Sequence, residues 1–126
     1  MTDLIQMSRQ AASDAHFMFD AKRYDGAVTR AYYAIYHAAR AALIFTDPEF
    51  TEAKTHKGLL QQFSRLVIVQ QKQDAALGKA MRRLLKARIE VDYEARPATP
   101  QSAEEVLKSM DEFLTTILKF IEANPQ

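Results

Sequence analysis

Residues 30–40 read RAYYAIYHAAR, inside a proline-free run from Tyr24 to Phe45. Its periodicity bears directly on the fold. Wound at 3.6 residues per turn, it separates into three lines. Ala27, Ala31, Ala34, Ala38 and Ala41 make a stripe of small side chains that lets another helix approach closely. Val28, Tyr32, Ile35, Ala39 and Leu43 make a larger apolar stripe. Arg30, Tyr33, His37, Arg40 and Ile44 make the third. A helix with apolar material on more than one side is packed by neighbours on several faces, so this one is expected at the centre of the domain.

The flanking sequence agrees with a helical class. The chain has 126 residues, three glycines and four prolines, and apart from Pro48 the prolines lie beyond residue 96. Long segments with apolar spacing of three to four residues predict an all-α domain of about five helices spanning 1–126. The first runs from about Thr2 to Ala21, with Leu4, Ile5, Ala12, Ala15 and Phe19 turned inward. A break at KRYDG, residues 22–26, precedes the second, which Asp47-Pro48 ends because proline cannot continue the hydrogen-bond ladder. The third is expected from about Thr55 to Gln70 and the fourth from about Asp74 to Glu94. After RPATPQ, residues 96–101, the fifth begins, with Ser102 and Glu105 spaced as a capping box.

Composition bounds the rest. Apolar residues make up 48% and charged residues 26%, enough for a core and an ordinary polar surface. The net charge of +1 argues against an overall basic coat but leaves room for a local basic site. There is no cysteine, which excludes a disulfide framework and thiolate metal sites. No apolar run approaches a membrane span, and the start MTDLIQMSRQ lacks the pattern of a signal peptide. A cytoplasmic protein without membrane association is expected.

The third line of the central helix carries the chemistry. Arg30 and His37 are seven residues apart, about 10 Å along the axis, with Tyr33 between them. That is far for one reacting centre within one chain. An antiparallel pair of such helices from two copies would bring Arg30 of one towards His37 of the other, so the spacing suits a site shared across a two-fold axis. Histidine titrates near neutral pH and serves as general acid or base. Arginine stays charged and offers a planar fork to phosphate oxygens. Such a pair could cleave RNA without metal: histidine would activate the 2′-hydroxyl or protonate the leaving oxygen, and arginine would stabilise the transition-state charge. Tyr33 and Arg40, on the same line, are candidates for substrate contact. A packing or surface role for the same residues is the alternative.

Four further features are read beside plainer explanations. His56 follows Thr55 at a helix start, where backbone amides attract anions; a threonine N-cap accounts for Thr55 equally well. His56 is kept as a substrate-contact candidate. Arg88 and Asp92 are spaced for an ion pair within one helix, which would orient Tyr93; a site role for Arg88 is the alternative. MRRLLKAR, residues 81–88, reads as a solvated basic face. His16 is expected to satisfy a local contact. The three histidines never fall at metal-ligand spacing, and Glu90, Asp92 and Glu94 diverge round a helix, so no metal and no cofactor are predicted.

The blocks YDGAVTRAYYAIYHAARAAL, KTHKGLLQQF, ARIEVDY and SAEEVLKSMDEFL, in that order, resemble the HEPN domain, and more narrowly its small stand-alone branch, which includes UPF-type proteins. The resemblance implies an up-and-down bundle of four long helices plus a short one, often dimeric, with a relation to RNA or nucleotides. Many HEPN proteins are metal-independent ribonucleases bearing an arginine, four to six residues and a histidine, a pattern that Arg30, residues 31–36 and His37 match. Several act as toxins beside a minimal nucleotidyltransferase encoded next to them; others are not known to be enzymes. Active members often carry a polar residue just after the arginine, where this chain has Ala31. Two readings therefore stand: a ribonuclease or toxin acting as a homodimer, and a non-catalytic module that binds a nucleotide or works with a nucleotidyltransferase partner.

Overall fold

A computed structural model describes residues 2–123. It contains α1 (Thr2–Asp20), α2 (Tyr24–Thr46), α3 (His56–Phe63), a π-helical continuation of α3 (Ser64–Val69), α4 (Ala76–Asp92) and α5 (Pro100–Ala123). There is no strand among the described residues. The all-α class expected from the spacing is the one observed, with four long helices and a short α3. The α2 helix packs against every other element.

The central place of α2 follows from its sequence. Every residue of the alanine stripe is fully buried, as are Ile35, Ala39 and Leu43, while Val28 and Tyr32 are exposed by no more than 2%. The most extensive contact in the molecule is between α1 and α2. There Ser8, also fully buried, donates its hydroxyl to the carbonyl of Ala34 at 2.6 Å. Small residues on α2 let the two backbones approach, and the serine hydroxyl satisfies its own polar group in the contact. The alanine stripe is thus consumed within the chain. On α1 the buried residues are Ser8, Ala11 and Ala15, whereas Leu4, Ile5, Ala12 and Phe19 of the expected inner stripe are half-buried.

The first break differs from the expected one. It spans only residues 21–23, and Tyr24, Asp25 and Gly26 already belong to α2. Lys22 adopts φ 63°. Its N–H reaches the Phe19 carbonyl at 2.9 Å and the Arg23 N–H reaches that of Met18 at 2.8 Å, which is the Schellman pattern that closes a helix. Gly26 serves close packing: a Cβ there would lie 2.8 Å from the sulfur of Met18.

The fifth helix also starts earlier than expected. Thr99 is its cap, since the Thr99 carbonyl accepts from Ala103 N–H at 2.9 Å. The Thr99 hydroxyl accepts from Ser102 N–H at 3.0 Å, and the Ser102 hydroxyl accepts in return from Thr99 N–H at 2.9 Å. This is a reciprocal capping box with serine in the place usually taken by glutamate, and Pro100 occupies the first helical position, which needs no N–H. Ser102 is in the box, but as its closing member, three residues into the helix; Glu105 takes no part. His16, expected to make a local contact, instead pairs with Asp111 of α5 at 3.0 Å across the α1/α5 seam.

Candidate functional site

The third line of α2 is the one that the other helices leave partly open. Arg30, Tyr33, His37, Arg40 and Ile44 are all half-buried, whereas the two apolar lines are buried. Beside this face lie the first turn of α3, the end of α4 and the loop of residues 47–55.

Tyr33 is the hub. The Arg30 guanidinium sits 5.2 Å from its ring centroid, and the His37 ring centroid lies 6.2 Å from the same ring. Arg30 and His37 are therefore joined through one aromatic ring. Among the described residues Arg30 has no carboxylate partner, which leaves its charge available to a ligand. Arg40 reaches back one turn, its Nη1 3.4 Å from Nδ1 of His37. Arginine only donates, so Nδ1 accepts and the ring proton sits on Nε2. Arg40 also lies over the Tyr36 ring at 5.7 Å and donates from Nε to the carboxylate of Glu52.

His56, the first residue of α3, joins the same cluster. Its Nδ1 accepts from the hydroxyl of Tyr32, and its ring stacks on Tyr36 with centroids 4.7 Å apart. The Thr55 hydroxyl accepts from the N–H of Gly58 at 2.9 Å, so the plain N-cap reading accounts for the threonine. Gly58 has a reason of its own: a Cβ there would meet Ala53 at 2.8 Å, and its absence lets the preceding loop fold onto α3.

Arg88 of α4 closes the cluster from below. It is 9% exposed, and its Nη2 donates to the hydroxyls of Tyr33 and Tyr93, each at 3.0 Å. Its Nε lies 3.4 Å from Asp92, an ion pair without hydrogen-bond geometry at that nitrogen. Asp92 in turn accepts from the Thr29 hydroxyl at 2.8 Å, tying α4 to α2. The pair foreseen between Arg88 and Asp92 forms, and Arg88 does orient Tyr93. Its bond to Tyr33, a residue 55 positions earlier, has no signature in the sequence.

The environment sets the protonation states. Burial, then Arg40, then Arg30 push the His37 pKa below its ordinary value, with Glu52 acting against them. Burial, then Arg88 push His56 the same way. Burial raises the Tyr32 phenol strongly despite Arg88, and raises Tyr36 with help from Glu52. The phenols therefore stay protonated, and Tyr32 is the donor to His56. At neutral pH the face presents two neutral imidazoles, the guanidiniums of Arg30 and Arg40, and a set of aromatic rings, with the buried Arg88 beneath them. It can receive a phosphate and hold a base or acid beside it.

Four residues of the cluster escaped the sequence reading as site members. Tyr32 belongs to the buried stripe, and Tyr36 falls between two lines on the wheel. Thr29 and Glu52 carry no pattern that distinguishes them. Arg82, Arg83 and Lys86 of the basic stretch are exposed, as expected of a solvated face. Among the described residues no group of three or more His, Asp or Glu is placed to hold a metal ion, and no helix is long and apolar enough to cross a membrane.

The chain is similar to known proteins over nearly its whole length. The HEPN domain family matches residues 1–121. A protein of Methanocaldococcus jannaschii named "Putative toxin MJ0605" is 28% identical over 119 residues, covering 94% of this chain and 87% of that protein. With an all-helical fold, α2 at its centre, the arginine–histidine line half-open on α2 and the family match over nearly the whole length, this chain is a member of the HEPN domain family.

Proposed function

We propose that this protein is a HEPN-type endoribonuclease of the toxin class. It acts without a metal and as a homodimer, with Arg30 of one protomer and His37 of the other forming each site. One observation carries the reading: among the described residues Arg30 has no carboxylate partner, and it shares a half-open face with a histidine whose pKa is pushed down. A cation free to meet phosphate and an imidazole neutral at physiological pH are what cleavage through the ribose 2′-hydroxyl requires. Similarity to a protein named as a toxin supports the same direction.

In the reaction the 2′-oxygen attacks phosphorus and the bond to the 5′-oxygen breaks. The proton leaves the 2′-hydroxyl and one arrives on the 5′-oxygen, giving a 2′,3′-cyclic phosphate and a 5′-hydroxyl. His37 takes or returns that proton. Drawing Arg40 onto a phosphate relieves its long contact with His37 Nδ1 and frees the lone pair. Arg30 meets the charge that builds on the phosphoryl oxygens. Tyr33, Arg40 and His56 contact the substrate round them.

The test is RNA cleavage in excess chelator. The wild type is expected to cut and leave cyclic phosphate ends, while His37→Ala and Arg30→Ala each lower the rate by roughly 10²–10⁴-fold. Intact RNA with the wild type would reject the reading. A second reading then takes its place, a non-catalytic module that binds a nucleotide or works with a nucleotidyltransferase. The burial of Ala31 favours it, because the position after Arg30 lends the face no polar group.

A further inference from the structure

The loop of residues 47–55 brings one carboxylate onto the half-open face of α2. Its placement does not depend on the ion pair that it makes. Gln62 of α3 accepts from the Ala53 N–H at 3.0 Å and donates to the Thr51 carbonyl at 2.7 Å. The residues on both sides of Glu52 are thus pinned to α3 by one side chain. Glu52 is held over the face, and its carboxylate takes the Arg40 guanidinium at Nε.

The two cations of the line differ for this reason. Arg30 faces Tyr33 and, among the described residues, has no carboxylate partner. Arg40 is covered by Glu52, although both side chains remain reachable, 28% and 38% exposed. A guanidinium binds a carboxylate and a phosphate ester through the same donors. A phosphate cannot take the Nε position of Arg40 while Glu52 holds it.

We propose that Glu52 is a built-in competitor for a phosphate subsite at Arg40, which a nucleic-acid strand occupies only by displacing the carboxylate. The proposal rests on the reading of the α2 face as a nucleic-acid site and adds a second phosphate position to it, one turn beyond His37. Displacement also alters the histidine. Glu52 is the one charge that favours protonated His37, and Arg40 is the group bonded to its Nδ1. Moving both on substrate entry couples phosphate binding to the imidazole.

Binding of a labelled single-stranded oligonucleotide with 2′-deoxy sugars tests this apart from cleavage, because that strand has no 2′-hydroxyl to attack. Fluorescence anisotropy would follow wild type, Glu52→Gln, Arg40→Ala and the double variant over a range of salt concentrations. Glutamine keeps the shape and an acceptor for Arg40 but removes the charge. Glu52→Gln should tighten binding roughly two- to fivefold at low salt, the size expected from losing one partly exposed ion pair. It should also steepen the slope of log affinity against log salt by about 0.7, because one more guanidinium now gives up a counterion to the strand. Both changes should vanish in the Arg40→Ala background. Unchanged or weaker binding by Glu52→Gln, with the slope of the wild type, would make Glu52 a residue that merely positions Arg40 and overturn the proposal. A gain that persists without Arg40 would overturn it too, as a general charge effect. If all four proteins fail to bind, the nucleic-acid reading of the face falls and this proposal with it. Binding by the wild type with no effect of Glu52→Gln removes this proposal alone.

Discussion

His37 and His56 sit in one cluster and are both disfavoured as cations, for partly different reasons. Burial leads in each case; Arg40 and Arg30 add to it for His37, and Arg88 does so for His56. The folded-state values lie below the ordinary 6.5, so between the two values the unfolded chain binds more protons than the folded one. The stability tied to these groups is therefore whole above 6.5 and is lost as pH falls from there through the folded values. Urea melts at a series of pH values should show stability falling with pH across that window. His37→Ala and His56→Ala should each flatten that slope, leaving the carboxylate-driven fall at lower pH. An unchanged slope in both variants would mean that neither imidazole is held neutral by the fold. Arg88 shows the limit of local reasoning at this scale. Spacing along α4 reveals its ion pair with Asp92, but its bond to Tyr33 exists only once α4 lies against α2.

Helix ends are where the sequence was least legible, and the reason is chemical. The break before α2 was expected over KRYDG, residues 22–26, but it covers only residues 21–23. In the folded chain the left-handed residue is Lys22, and Gly26 is spent on contact with Met18. The end of the π-helical turn repeats the device: Lys72 has φ 54°, with Gln73 N–H bonded to the Ile68 carbonyl at 3.0 Å. A non-glycine residue in this conformation costs roughly 1 kcal/mol, so Lys22→Gly should raise stability by about that amount in a urea titration. A loss instead would mean that the lysine side chain makes a compensating contact. By contrast the interiors of the helices were legible, because apolar spacing repeats over many residues and a single exception does not obscure it. The α2 lines are the clearest case. Ser8 on α1 is the counterexample: a serine reads as surface, and only the approach of α2 gives its hydroxyl a buried acceptor.

At the scale of the whole molecule, the alanine stripe is covered by the chain itself, so it offers no surface to a second copy. On α2 the face left open is the line of Arg30, Tyr33, His37, Arg40 and Ile44, and the proposed dimer would use it. Light scattering at micromolar concentration should report twice the chain mass of 14.3 kDa. A sharper measurement uses two inactive proteins. In a re-equilibrated one-to-one mixture of Arg30→Ala and His37→Ala, half the dimers are mixed, and each of these contains one intact site made from Arg30 of one subunit and His37 of the other. Ribonuclease activity should return to about a quarter of the wild-type level. If the mixture stays inactive while the wild type cuts, both residues must come from the same chain.

The position of α2 has a consequence for how freely its sequence can drift. Two of its sides hold the core, and the third holds the arginine–histidine line. Of its residues only Asp25 is exposed, and that carboxylate accepts from the N–H of Ala98 at 2.6 Å. On α1, Thr2, Gln6, Arg9, Gln10 and Ser13 face water. A scan of single substitutions scored for folding and activity together should therefore find tolerant positions recurring every three or four residues along α1. Along α2 that rhythm should be missing: the helix has no silent side on which neutral changes could accumulate.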